Sequence, residues 1–91
     1  MSTFLVFRHL PGVTRDQYVA AQQAASEAAD QVSTDERSVR YLGGFFIPGA
    51  GRAICVFSAD SLANVTIVNE RAGVPFSDVL EAVELRPPGA A

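Results

Sequence analysis

The sequence has no lysine, one histidine and one cysteine, and each shortage excludes a class of function. All seven of its basic side chains are arginines, scattered along a chain whose formal net charge is −3. Because nucleic-acid affinity depends on clustered cations, we expect no nucleic acid among its partners. A single cysteine excludes an intrachain disulfide and every multi-cysteine zinc motif, and it fits a reducing cytoplasm.

Long apolar runs are absent as well. No run approaches the roughly 20 residues needed to span a bilayer, and the amino terminus lacks the charged, apolar and cleavage regions of a signal peptide. We therefore expect a cytoplasmic protein without a membrane partner. The 91 residues, 48% of them hydrophobic, predict one globular domain over residues 1–91. Its Pro-Pro-Gly-Ala-Ala tail at 87–91 should be frayed.

The sequence does contain alternating strand and helix patterns with little linker between them. Period-two alternation predicts strands at Thr3–Leu10, Val39–Ile47, Ala53–Ala59 and Val79–Leu85. Helical spacing predicts helices at Thr14–Val32, opened by a T-x-x-Q capping box, and Ser61–Ala72, ended by Gly73. This β-α-β-β-α-β order is that of an α+β, ferredoxin-like fold, with a four-stranded antiparallel sheet and two helices on one face. The expected spatial order of the strands is fourth, first, third, second.

The first and third strands are apolar on both faces, whereas two helices can cover only one face of a sheet. The uncovered face would leave an apolar patch larger than soluble monomers usually carry. We therefore expect a homodimer that buries the helix-free face.

Alternation also assigns side chains to faces of the sheet. Arg8 shares a face with the apolar side of the first strand, so we expect it to pair with a carboxylate, Glu81 or Glu84, or with a bound anion. In the second strand, alternation places Tyr41, Phe45 and Ile47 on one face of the sheet and Phe46 on the opposite face. Gly43-Gly44 interrupts this pattern and indicates a bulge or a close approach by another part of the protein.

His9 is the one side chain that combines neutral-pH titration with metal affinity. In the predicted sheet it lies at the end of the first strand, with Cys55 and Glu81 as expected neighbours, and these three residues are the candidate metal ligands. His9 could instead be satisfied by a backbone carbonyl, and Cys55 could be a small buried hydrophobe. Candidate pocket residues are Arg8, Tyr41, Gly43, Gly44, Phe45 and Asn69.

Three segments carry a family resemblance: Phe4-Leu5-Val6-Phe7-Arg8-His9-Leu10-Pro11-Gly12, Cys55-Val56-Phe57-Ser58-Ala59 and Asn69-Glu70-Arg71-Ala72-Gly73-Val74-Pro75-Phe76. Together they resemble a family of short bacterial proteins catalogued as a domain of unknown function and typified by a nickel-responsive, nickel-binding protein of actinomycetes. The resemblance implies a ferredoxin-like fold, a homodimer and binding of divalent nickel, with His9 and Cys55 at positions of metal-ligating type. Some relatives carry a histidine in the second helix where this chain has Asn69, and an amide is a far weaker nickel ligand than imidazole.

Three functions follow from these observations. The leading hypothesis is a small dimeric binding protein whose ligand is a divalent metal such as nickel. The second is a dimeric α+β-barrel enzyme, of monooxygenase or isomerase type, that acts on a small aromatic or apolar substrate. The third is a structural or regulatory dimer without a ligand.

Overall fold

The structure, a computed structural model, describes residues 1–89. Its elements are β1 Ser2–His9, α1 Arg15–Val32, β2 Val39–Ile47, a 3-10 turn Pro48–Ala50, β3 Arg52–Ala59, α2 Leu62–Ala72 and β4 Asp78–Ala82. The strands form one sheet in the order β2-β3-β1-β4, and every neighbouring pair is antiparallel. The predicted ferredoxin-like α+β fold is confirmed.

Both helices begin and end where local chemistry favours it. Thr14 accepts a hydrogen bond from the backbone N–H of Gln17, and the Gln17 side chain accepts one in return from the Thr14 backbone, which is the predicted capping box. Ser61 caps α2, and Gly73 ends it in the left-handed conformation at φ 71°. The two helices pack against each other on one face of the sheet. Neither of them combines the length and the apolarity needed to cross a membrane.

β4 is shorter than predicted. It ends at Ala82, which pairs with Thr3 near the start of β1. Only Met1 and Ser2 remain beyond that point, too few to pair with a strand that runs to Leu85, so the predicted continuation is wrong. Val83 and Leu85 lie exposed after the strand. The predicted frayed tail extends to positions 90 and 91, which lie outside the described residues.

A bulge in β2 changes which side chains reach the core. The pairing with β3 shifts between Tyr41 and Gly43, so the alternation predicted for the second half of the strand is wrong. Phe46 lies on the helix-covered face and stacks on Tyr18 with ring centroids 4.9 Å apart. Phe45 lies on the helix-free face and is 66% exposed.

The core lies between the sheet and the helices. It is formed by the inward residues of the two central strands, an alanine-rich stripe of α1 and two valines of α2. Small side chains let α1 lie close to the sheet. The molecule measures 37 × 35 × 19 Å, and the smallest dimension corresponds to one sheet and one helix layer. The other face of the sheet is therefore uncovered.

Candidate functional site

A buried polar cluster lies in the core, and Arg8 is its centre. Arg8 is only 3% exposed. Its Nη1 donates to the carbonyl oxygens of Val74 and Pro75, at 3.1 and 3.3 Å. Its Nη2 donates to Asn69 Oδ1, and its Nε lies 3.4 Å from Cys55 Sγ. All three guanidinium nitrogens, Nη1, Nη2 and Nε, thus have an acceptor.

The carboxylate partner predicted for Arg8 is not among these acceptors. Glu81 is exposed on β4 and pairs with Phe4, four positions along β1 from Arg8. Glu84 follows the end of β4 and is exposed. The predicted ion pair is therefore wrong, and backbone carbonyls with an amide oxygen take its place.

Two tyrosines border this cluster. Tyr18 Oη lies 3.8 Å from Cys55 Sγ, and Tyr41 Oη accepts a hydrogen bond of 2.6 Å from Gln22 Nε2. Burial, followed by the neighbouring Cys55, raises the pKa of Tyr18 well above its usual range, and burial also raises the pKa of Tyr41. Both phenols are therefore protonated at neutral pH.

A close approach was predicted at Gly43-Gly44, and at Gly44 the Tyr18 side chain makes it. A Cβ atom at Gly44 would lie 2.7 Å from the Tyr18 hydroxyl oxygen, so Gly44 is what admits Tyr18. A cavity of about 550 Å³ opens beyond it, between the start of α1 and β2. Gly44 lines this cavity, whereas Tyr41, Gly43 and Phe45 do not. The predicted pocket residues therefore do not form one site.

A second cavity, of about 440 Å³, lies at the end of β1 and involves the helix-free face. Its lining consists of Phe7, Arg8, His9, Ile47, Arg52, Ala53, Ile54, Ser77 and Asp78. His9 is exposed and lies directly opposite Arg52 in the β1–β3 ladder. Asp78 lies opposite Phe7 in the β1–β4 ladder. One imidazole, one carboxylate and an arginine thus meet beside the apolar pair Phe7 and Ile54. We call this the His9 cavity.

Comparison with known proteins places the chain in a family. The family model described as "Nickel responsive protein SCO4226-like" matches residues 4–82. The chain belongs to the SCO4226-like family. Its fold is similar to the crystal structure of SCO4226 from Streptomyces coelicolor A3(2), with a TM-score of 0.76, 25% sequence identity, and coverage of 99% of this chain and 100% of that one. A search of the curated proteins found no match.

The three candidate metal ligands, His9, Cys55 and Glu81, do not come together within the chain. Cys55 is buried on the helix-covered face, whereas His9 is exposed on the other face. Glu81 pairs with Phe4, five positions from His9, or roughly 17 Å along the strand. The expected adjacency of the three is wrong. Among residues 1–89, no group of three His, Cys, Asp or Glu side chains is arranged to hold a metal ion.

Sequence reasoning missed Arg52 and Asp78, the two charged neighbours of His9 in the cavity. The signal for Arg52 was available, because antiparallel pairing of the first and third strands brings the end of one beside the start of the other. The register needed to choose between Arg52 and Cys55 was not, since α1 and β2 separate β1 from β3 in the sequence and no short turn fixes the pairing of these two strands. The Asn69 side chain accepts a hydrogen bond from Arg8 and donates one to the carbonyl oxygen of Val65.

Proposed function

We propose that this chain is a small metal-binding protein whose ligand is divalent nickel, held at the His9 cavity. The observation that carries the proposal is that the chain's one imidazole is exposed and shares a cavity with the Asp78 carboxylate. The family description, which names a nickel-responsive protein, supports nickel as the metal.

The chemistry of the two donors suits this ion. Imidazole is a good nickel ligand, and carboxylate and water oxygens can complete an octahedral shell. Asp78 takes the supporting role first assigned to Cys55 and Glu81, because it lines the same cavity as His9 and they do not.

We also propose that the protein acts as a homodimer through its helix-free face. Phe45, Ile47 and Leu80 are exposed there beside the half-buried Leu5, Phe7, Ile54 and Val56. A second copy would meet this apolar surface with an equally apolar surface, as a twofold interface requires. A cytoplasmic location completes the proposal, because the one cysteine is a free thiol.

The test is calorimetric titration of tag-free protein with nickel chloride in a non-coordinating buffer. Tag removal is essential because a histidine tag binds nickel. We expect heat of binding for the wild type, loss of it for His9→Ala and weaker binding for Asp78→Asn. Glu81→Gln is the control and should bind as the wild type does, since Glu81 lies far from His9. Equal affinity of the wild type and His9→Ala would remove His9 from the site.

A further inference from the structure

We propose that the His9 cavity binds nickel as a complex with a small polycarboxylate chelator, with His9 on the metal and Arg52 on the chelator. This inference rests on the proposed function. It adds the chemical form in which the metal is recognised. Three properties of the cavity support it.

The first property is the shortage of protein donors. An octahedral nickel ion has six coordination positions, and the cavity offers one imidazole and one carboxylate. No third His, Cys, Asp or Glu joins such a group anywhere in residues 1–89. Most of the shell must therefore come from elsewhere, and a chelator supplies several donors in one molecule.

The second property is the charge beside His9. Arg52 lies directly opposite His9 on the same face, where facing Cβ atoms are about 5 Å apart. An arginine in this position repels a hydrated dication bound at His9 and attracts a carboxylate, with which its guanidinium can form two parallel hydrogen bonds. Arg8 adds no charge to the cavity, because its guanidinium is hydrogen-bonded in the core on the other face of the sheet. Arg52 is thus the cation of the cavity lining beside His9, and it attracts an anionic chelate of nickel while it repels a free nickel ion.

The third property is size. The cavity has a volume of about 440 Å³, which falls within the range of roughly 300–1,000 Å³ typical of small-molecule sites. A single metal ion needs far less space. Phe7 and Ile54 form a paired apolar wall in the β1–β3 ladder, against which the carbon skeleton of a chelator can pack.

The experiment compares four probes on tag-free protein: nickel chloride, an equimolar nickel–citrate complex, citrate alone, and nickel with diethylenetriamine. Citrate and diethylenetriamine each leave coordination positions open for His9, but only citrate brings carboxylates to Arg52. We expect nickel–citrate to bind at least about tenfold more tightly than nickel chloride, which corresponds to about 1.4 kcal/mol. Nickel–diethylenetriamine should show no such gain, and citrate alone should bind weakly.

Variants test whether Arg52 causes the tighter binding of nickel–citrate. Arg52→Gln should weaken nickel–citrate binding about tenfold while nickel chloride binds as well as before or better, because a repelling charge is removed. Arg40→Gln is the matched control: Arg40 is exposed, lies opposite Ser58 at the far end of the same face and should have no effect. His9→Ala should abolish binding of both nickel forms. Thermal unfolding should confirm that the surface variants remain folded.

The effect of citrate distinguishes failure of this inference from failure of the proposed function. If the protein binds only hydrated nickel, citrate competes for the metal and lowers the apparent affinity. That result, or equal weakening of both nickel forms by Arg52→Gln, would overturn the chelate proposal and leave nickel binding standing. Citrate alone binding as tightly as nickel–citrate would overturn it too, since the metal would then be irrelevant. Absence of heat with every nickel probe would overturn the proposed function itself.

Discussion

At the residue scale, Arg8 carries a positive charge into the interior of the molecule. A buried charge is costly unless it is well hydrogen-bonded. Through Nη1 it binds the backbone carbonyls of Val74 and Pro75, so it fixes the segment that leads from α2 into β4. Ser77 and Asp78 follow directly and line the His9 cavity. Arg8 therefore positions one wall of that cavity from the core side.

The two tyrosines yield a prediction about alkaline pH. Burial raises the pKa of both phenols in the folded state, whereas in the unfolded chain they ionise near pH 10. The free energy of unfolding is thus unaffected by the ionisation of these groups below about pH 10. Above that pH it falls, because the unfolded chain releases phenol protons that the native state retains. Because the chain has two tyrosines and no tryptophan, the ultraviolet absorbance of tyrosinate follows these two groups directly.

In an alkaline titration, we expect tyrosinate absorbance to rise only together with the loss of native circular dichroism. In urea, the same groups should titrate near pH 10. Tyr18→Phe should flatten the alkaline decline in stability, because it removes one phenol while the ring can still stack on Phe46. Tyrosinate forming near pH 10 in protein that is still folded would contradict the prediction.

At the scale of the element, β2 shows how far the sequence could predict this structure. Its bounds were predicted correctly, and Gly43-Gly44 indicated a bulge. The consequence was not predicted, since a bulge reverses the facing of every later side chain and alternation alone cannot say which residue is extra. The faces of the sheet predicted for Phe45 and Phe46 were therefore the reverse of those observed. β4 was predicted too long for a related reason. Its end depends on where its pairing with β1 stops, and the pattern of one strand alone does not show this.

Gly44 gives the test of this element. A Cβ at Gly44 would lie 2.5 Å from the Ile54 carbonyl oxygen and 2.7 Å from the Tyr18 hydroxyl. We expect Gly44→Ala to lower the free energy of unfolding by about 2 to 3 kcal/mol through overpacking, as measured by urea denaturation. Gly49→Ala is the control, because nothing lies within 4 Å of its added Cβ, and it should change stability by less than about 0.5 kcal/mol. Equal effects of the two variants would refute the close contact at Gly44.

At the scale of the whole molecule, element order predicted the topology and the strand order, since few arrangements of six short elements are compatible with short connections. The site was less predictable. His9 was correctly placed at the end of its strand, but its neighbours depend on register and on which face each side chain takes. Cys55 lies on the opposite face of the sheet from His9, and Glu81 pairs far along β1. Arg8 was assigned to the core-facing side of β1, yet its acceptors lie 47 to 67 residues away in the sequence.

The proposed dimer is tested by a charge placed on the helix-free face. Phe45 is 66% exposed there, and Phe45→Glu would bury a carboxylate between two apolar sheets. We expect light scattering to give a dimer mass for the wild type and a monomer mass for Phe45→Glu at micromolar concentration. Leu62→Glu is the control: Leu62 is 46% exposed on α2, away from that face, and its variant should remain a dimer. A monomer mass for the wild type would contradict the proposal.

The bulge in β2 also affects how the protein behaves when it is concentrated. β2 is an edge strand of the described sheet, and an apolar edge is a template on which further chains can add as strands and build fibrils. A chain that docked there would have to follow two offset stretches, because the backbone changes register between Tyr41 and Gly43, with Gly43 at φ 118°. The kink interrupts flat, continuous pairing along the β2 edge. It therefore opposes fibril growth through the edge while leaving the helix-free face open for self-association.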